Sequence, residues 1–231
     1  MPHPNLQLLA DAARLLEPLL PELVFVGGGT TALFITDQAA AAIRTSYDVD
    51  AIAAIGSYAA YVDFSERLRD IGFTEDDSPG APICRWRQQR IIFDLMPLDE
   101  KILGFSNRWY KAAMDTARQH ILPNGLRIRA VTAVYFCATK LEAFAGRGRQ
   151  DYVASHDLED LVSVLDGRPE IVQEIVLAPH DVRTYITVEI NKLLATPQFM
   201  DALPGYLLPD NASQARSPYL VMRLKNIATL V

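Results

Sequence analysis

Leu23-Val24-Phe25-Val26-Gly27-Gly28-Gly29-Thr30, followed after a gap by Arg44-Thr45-Ser46-Tyr47-Asp48-Val49-Asp50-Ala51-Ile52, is the stretch that decides the fold. Four apolar residues closed by three glycines predict a buried strand running into a tight turn. Residues 30–34 then open a helix. Residues 48–52 alternate polar and apolar, which predicts a strand with one buried face. Residues i and i+2 of a strand share a face, so Asp48 and Asp50 project together while Val49 and Ala51 turn to the core. Downstream, residues 83–87 and 90–96 predict two strands joined at Gln88-Gln89, with Pro97 stopping the second. Within Arg90-Ile91-Ile92-Phe93-Asp94-Leu95-Met96, Asp94 is a lone carboxylate in an apolar strand. Burying it unpaired is costly, so it must be exposed at a strand end, paired, or bound to a metal.

Metal binding is the reading that accounts for Asp48, Asp50 and Asp94 together. Magnesium takes hard oxygen ligands at about 2.0–2.1 Å, and a two-metal site holds its ions roughly 3.5–4 Å apart. Gly27-Gly28-Gly29-Thr30 is the candidate phosphate cradle. Glycines let backbone amides approach an anion, a helix N-terminus adds partial positive charge, and Thr30 or Thr31 offers a hydroxyl. Taken singly, each part is a common feature. A glycine pair after a strand is usually a plain turn, and a strand aspartate is usually an edge residue or an arginine's partner. The weight lies in the order: strand, glycines, helix, Asp-x-Asp strand, hairpin, Asp strand. The glycine run is neither a Rossmann fingerprint, since Ala32 stands where its last glycine belongs, nor a P-loop, since Gly-Lys-Ser/Thr is missing.

Outward from this stretch, residues 5–17 predict an amphipathic helix ended by Pro18 and Pro21, and residues 56–71 another. Residues 74–82 predict a turn-rich acidic loop. Helical patterns cover 108–120 and 130–145, separated by the Pro123-Asn124-Gly125 turn, then 157–165, 171–176 and 182–194. Residues 204–218 read as loop. The expected organisation is a mixed α/β half over 1–105 and a mostly helical half over 106–231. The chain is 50% hydrophobic and 22% charged, the composition of a globular protein. No apolar run approaches the roughly 18 residues of a membrane helix, and no basic leader precedes an apolar stretch. Cys84 and Cys137 lie far apart with no C-x-x-C spacing, which predicts reduced thiols in a cytoplasmic protein. The four histidines show no metal spacing. Trp86 and Trp109 are assigned to packing in preference to base stacking. Charge is uneven: residues 1–82 hold 4 basic and 12 acidic side chains, residues 83–150 hold 12 and 5, and residues 151–231 hold 6 and 11. A basic middle suits an anionic partner such as a triphosphate or RNA, or is simply a solvated face.

Gly28-Gly29-Thr30 with Arg44-Thr45-Ser46-Tyr47-Asp48-Val49-Asp50 resembles the Gly-Gly-Thr … Arg-x-Ser-x-Asp-x-Asp signature of AbiEii-type nucleotidyltransferases. These are relatives of the DNA-polymerase-beta superfamily, many of them toxins of toxin–antitoxin or abortive-infection systems. Thr139-Lys140-Leu141-Glu142-Ala143-Phe144 with Arg147, and His156-Asp157-Leu158-Glu159-Asp160-Leu161, are similar to that family's later motifs. The resemblance covers about residues 24–170. It implies an α+β fold, a polymerase-beta-like mixed sheet with flanking helices, followed by a helical domain that completes a cleft for nucleotide and acceptor. It also implies magnesium-dependent transfer of a nucleoside monophosphate from a triphosphate to an acceptor, either RNA such as tRNA, a protein hydroxyl or a small molecule. An antitoxin protein is an implied partner. Carried over, Asp48 and Asp50 bind two magnesium ions, while Asp94 completes the catalytic ion's shell and takes the acceptor's proton. Gly28, Gly29 and Lys140 hold phosphates, and Asp157 orients Lys140 or the acceptor. Thr30 adds a hydroxyl, Arg44 pairs with Asp94 or reaches a phosphate, and Ser46 supports the site.

The residues leave plainer roles open. Lys140 reads equally as a solvated helix position, and Asp157 and Asp160 as residues favoured near a helix N-terminus. The rival function is a nucleotide-binding or protein-interaction module on the same fold, without turnover. Retention of all three carboxylates favours the enzyme.

Overall fold

The computed structural model describes residues 3–148 and 150–230. The chain is α+β, with a seven-stranded mixed sheet and a helical C-terminal half. It divides into two compact units: Met1–Leu33 with Thr45–Thr132, and Phe34–Arg44 with Ala133–Val231. The division thus falls at 132–133, where sequence alone suggested 105–106, and residues 34–44 belong to the second unit.

The first unit opens with α1 (Pro4–Leu15), whose first turn is capped by His3 accepting from the Asn5 N–H. Leu9, Ala10, Ala12 and Ala13 form its buried side, and those alanines let the helix lie close to the sheet. Pro18 and Pro21 sit in a short 3-10 helix, Glu17–Glu22. β1 (Leu23–Val26) is buried at every position. Gly28 and Gly29 open a second 3-10 helix, Gly28–Leu33, and β2 (Val49–Ala53) follows. α2 (Tyr58–Asp70), capped by Ser57, leads to β3 (Thr74–Glu75), β4 (Arg85–Gln88) and β5 (Ile91–Pro97). α3 (Glu100–Leu103), α4 (Tyr110–Asp115), β6 (Arg118–Ile121) and β7 (Arg127–Ala130) complete the unit.

The strands lie in the order β3-β4-β5-β2-β1-β7-β6. β2 runs parallel to β5 and antiparallel to β1, so the two acidic strands are central neighbours. Phe25, Val49, Ala51, Phe93 and Leu95 bury their side chains in the core that α1 covers. Burying a side chain the size of Phe93 stabilises by about 1.5–3 kcal/mol.

The structure departs from the expected helix over 108–120. Only Tyr110–Asp115 is helical, and β6 and β7 pair antiparallel around Pro123-Asn124-Gly125. Arg127 and Arg129 alternate with the buried Ile128 and Ala130, a period-two pattern that suits a strand. Gly125 takes φ +85, a conformation the turn needs and a side chain disfavours.

The second unit contains α5 (Ala133–Arg147), α6 (His156–Gly167), α7 (Ile171–Leu177), α8 (His180–Leu194), α9 (Pro197–Ala202), α10 (Asn211–Gln214) and α11 (Ser217–Ala228). The segment 34–44 is fastened to it by amides of Thr36 and Asp37 donating to the Gly167 carbonyl at 2.9 and 3.0 Å. Arg216 joins Asp37 and Asp166 at 2.7 and 2.8 Å. The tail expected as loop over 204–218 includes the short α10 and the start of α11, which buries Leu220, Leu224 and Ile227 at helical spacing. Among the described residues, no helix is long and apolar enough to cross a membrane.

Candidate functional site

In the first unit, Asp50 on β2 stands in register with Asp94 on the parallel β5. Register partners on adjacent strands point to the same side of a sheet, and Asp48 lies two residues before Asp50. Asp50 and Asp94 therefore share one face, and Asp48, just ahead of β2, meets Asp94 only through a common arginine partner. Arg85 on β4 is the register partner of Asp94 on its other side. Its Nε donates to Asp94 Oδ1 at 2.8 Å, and its Nη2 donates to Asp94 Oδ2 at 2.7 Å and to Asp48 Oδ2 at 3.0 Å. Asp94 is almost wholly buried, at 4% exposure. Its hydrogen bonds raise the guanidinium's pKa above the ordinary arginine value, against the opposing effect of burial. Of the three ways to keep a strand carboxylate, the structure shows pairing, and the partner is Arg85.

Arg44, expected to pair with Asp94 or to reach a phosphate, makes a two-pronged contact with Asp160 in the second unit, at 2.8 and 2.9 Å, and does not pair with Asp94. Asp160 offers the planar acceptor that an arginine fork matches, and segment 34–44 packs with that unit.

The glycine turn contributes through Gly27. It adopts φ +76, and a Cβ there would stand 1.9 Å from Asp50 Oδ2. The Asp50 carboxylate occupies the space that the missing side chain leaves. Gly29 backs onto the Asp48 carbonyl, which a Cβ would meet at 3.3 Å. Gly28, Gly29 and Thr30 are buried. The Thr30 hydroxyl donates to the Gly27 carbonyl and that of Thr31 to the Gly28 carbonyl, both at 2.8 Å. The two hydroxyls thus brace the turn, where an outward donor to phosphate was expected. The helix expected after the glycines is six residues of 3-10 geometry, too short to build an appreciable macrodipole.

Asn5, which sequence reasoning passed over, ties this corner together. Fully buried on α1, it donates from Nδ2 to the Gly28 carbonyl at 3.4 Å and accepts the Ser46 N–H at 2.9 Å. Ser46 in turn donates from its hydroxyl to Asp48 Oδ1 at 3.3 Å. Ser46 therefore holds Asp48, and Asn5 holds Ser46 to the glycine turn.

In the second unit, Lys140 on α5 is buried at 7% exposure and is no solvated helix position. Its Nζ lies 3.1 Å from Asp157 and 2.7 Å from Asp160, both on the first turns of α6. Arg147 contacts both oxygens of Asp157 at 3.1 Å. Burial works to raise the Asp157 pKa, but the Lys140 charge and the Arg147 contacts outweigh it and hold the carboxyl below its usual value. Arg44, Lys140 and Arg147 thus converge on Asp157 and Asp160, a cluster of three cations on two carboxylates. The spacing of Asp157 and Asp160 on one helix was visible in the sequence; their connection to Arg44, more than a hundred residues away, was not.

Among the described residues, no group of three or more His, Cys, Asp or Glu side chains is gathered into a site that could hold a metal ion. Asp48 and Asp94 already converge on one cation, the Arg85 guanidinium, at nitrogen–oxygen distances near 3 Å. Replacing it by a divalent ion at about 2.1 Å asks each carboxylate to close by under about 1 Å. The donors are all hard oxygens, the kind magnesium takes, and Arg85 occupies the place between them. Both cysteines are free and buried, and burial pushes each thiol up to about 12, so neither is a thiolate ligand at neutral pH. Trp86 and Trp109 are buried packing residues.

No protein-family model matches the chain, and no curated protein matches it. Among solved structures, the chain is similar to the crystal structure of JHP933 from Helicobacter pylori, with a TM-score of 0.50. That likeness covers 96% of this chain and 89% of the other at 11% identity, and at such identity it is a likeness of fold alone.

Proposed function

We propose that the chain is a nucleotidyltransferase of the AbiEii type, moving a nucleoside monophosphate from a triphosphate to an acceptor hydroxyl. The observation that carries this reading is the register of Asp50 with Asp94 on adjacent parallel strands, with Asp48 brought to Asp94 by the shared Arg85 and Asp50 seated on Gly27. Phosphoryl chemistry of this kind requires little covalent work from a protein. It requires carboxylates that position cations, and cations that neutralise charge on the transferring group. In the proposed reaction the acceptor oxygen bonds to the α-phosphorus, the bond from that phosphorus to the β-phosphate oxygen breaks, and pyrophosphate leaves. The acceptor's proton passes to Asp94. Bound magnesium would supply charge neutralisation of the triphosphate, held by Asp48, Asp50 and Asp94. Ser46 and Asn5 keep Asp48 aimed, and Gly27 leaves room for Asp50.

The Lys140 cluster supports the same reading. A lysine set between two carboxylates is a compact point charge of the kind that suits phosphate. The basic segment 83–150 favours RNA as the acceptor. A cytoplasmic setting and an antitoxin partner belong to this proposal.

The test is label transfer. The protein is incubated with each α-phosphate-labelled triphosphate, magnesium and total tRNA or lysate. Transfer is expected, and Asp48→Ala should abolish it while leaving the circular dichroism spectrum unchanged. Transfer that survives Asp48→Ala at the wild-type rate overturns the mechanism. The Arg85 contacts with Asp48 and Asp94 favour a second reading, a nucleotide-binding module held in a charge-compensated state. Thermal stabilisation by a triphosphate without label transfer selects it.

A further inference from the structure

Arg85 does more than satisfy a buried carboxylate. One guanidinium nitrogen bridges Asp94 and Asp48 at 2.7 and 3.0 Å, so a fixed positive charge lies where two of the three carboxylates converge. A cation that enters between them must displace it. Displaced alone, Arg85 would exchange two carboxylate partners for water and stand close to a new positive ion, both unfavourable. Displaced by a cation that carries a triphosphate, it would gain phosphate oxygens, acceptors that match a guanidinium fork as well as a carboxylate does. The Arg85 side chain is 22% exposed, so it reaches solvent from this position.

We infer that Arg85 is a built-in counter-cation that makes divalent-metal binding conditional on the triphosphate. It competes with the bare metal for Asp48 and Asp94, and it yields when a metal–nucleotide complex offers it a replacement partner. The two ligands are then thermodynamically coupled through one side chain, and the coupling is reciprocal. This rests on the reading of the carboxylates as a metal site. Arg85 is a positioning residue in this role, since it acts through the carboxylates and through the phosphates.

The experiment is manganese binding, followed by electron paramagnetic resonance on chelator-treated full-length protein. It is run with and without an α,β-methylene triphosphate analogue, which cannot be transferred. The wild type should bind manganese weakly alone and roughly tenfold or more tightly with the analogue. Arg85→Met should bind manganese alone about tenfold more tightly than the wild type and gain little further from the analogue. Its melting temperature should fall without metal and recover on adding millimolar manganese. Arg85→Lys keeps a charge without the fork and guards against a misfolded methionine variant. It should lie between the two in both measurements. Equal manganese affinity in the wild type and both variants, with the same gain from the analogue, overturns the role of Arg85 and leaves the proposed reaction standing. No manganese binding by any of the three, with or without analogue, overturns both.

Discussion

Replacing Gly27 by alanine is the perturbation that best separates a built site from an ordinary turn. Two effects follow from the structure. Gly27 sits at φ +76, where a residue with a Cβ is less stable by about 1–2 kcal/mol. The added methyl would also stand 1.9 Å from Asp50 Oδ2, 2.7 Å from its Cγ and 3.0 Å from its Cβ. An ordinary contact is about 3.4 Å or longer, so the carboxylate oxygen must retreat by about 1.5 Å. The backbone term alone lowers the melting temperature by about 2–8 °C in a protein of this size. The displacement acts on function: about 1 Å of misplacement at a reacting centre is able to reduce turnover about a hundredfold. The assay is paired, with melting by circular dichroism and label transfer under saturating triphosphate. Gly56→Ala is the control, since a Cβ there meets nothing within 4 Å. The control should match the wild type in both measurements. If Gly27→Ala melts with the wild type and transfers label at the wild-type rate, Asp50 has no need of that space and the geometry argued here is wrong.

Asn5→Leu should lower unfolding stability in urea by about 1–3 kcal/mol, because it leaves the buried Ser46 amide and Gly28 carbonyl without their bridge. A change within 0.5 kcal/mol would remove Asn5 from its proposed role. Lys140→Met should cost about 2 kcal/mol, since Asp157 and Asp160 keep Arg147 and Arg44 but lose their shared buried cation. The Asp157 carboxyl titrates below 3.8 when folded and at about 3.8 when unfolded. Its stabilisation is complete above about pH 3.8 and disappears as pH falls through the lower folded value. Urea midpoints measured from pH 5 downward should therefore drop more steeply in the wild type than in Lys140→Met. Parallel curves would show that the lysine does not hold Asp157 charged.

The elements that were legible are those whose period is strong and whose ends carry stop signals. β1 emerged because glycines close a short apolar run, and β2, one residue later than expected, because Asp48-Val49-Asp50-Ala51 alternates at its start. The hairpin of β4 and β5 emerged because Gln88-Gln89 separates an alternating segment from an apolar run; the turn itself falls one residue later, at Gln89-Arg90, with Gln88 in the ladder and Gln89 at φ +52. Residues 108–121 misled because Ala112, Ala113, Met114 and Ala117 have helical propensity, and strand propensity at a sheet edge is a matter of what lies across the ladder. Gln119 pairs with Arg129 and Ile121 with Arg127 across the Pro123-Asn124-Gly125 turn, a hairpin hidden by the helical propensity on its first side.

The site divides along the same physical line. Asp50 and Asp94 could be placed on strands because each interrupts an apolar pattern, and the pleat fixes side-chain direction once a strand is recognised; Asp48 falls just ahead of β2, where the pleat does not act. Which cation neutralises each carboxylate depends on strand order, a long-range property. Arg44, which the sequence offered to Asp94 or to a phosphate, pairs with Asp160, while Arg85, nine residues from Asp94, takes that carboxylate. The register of β4 against β5 settles it by laying Arg85 directly beside Asp94. That same register makes the choice consequential. The ladder fixes the Arg85 backbone beside the carboxylates and leaves its side chain free to swing, so on the proposed reading a metal that enters would contend with the guanidinium, and the phosphates of a nucleotide are the partner that would draw it aside.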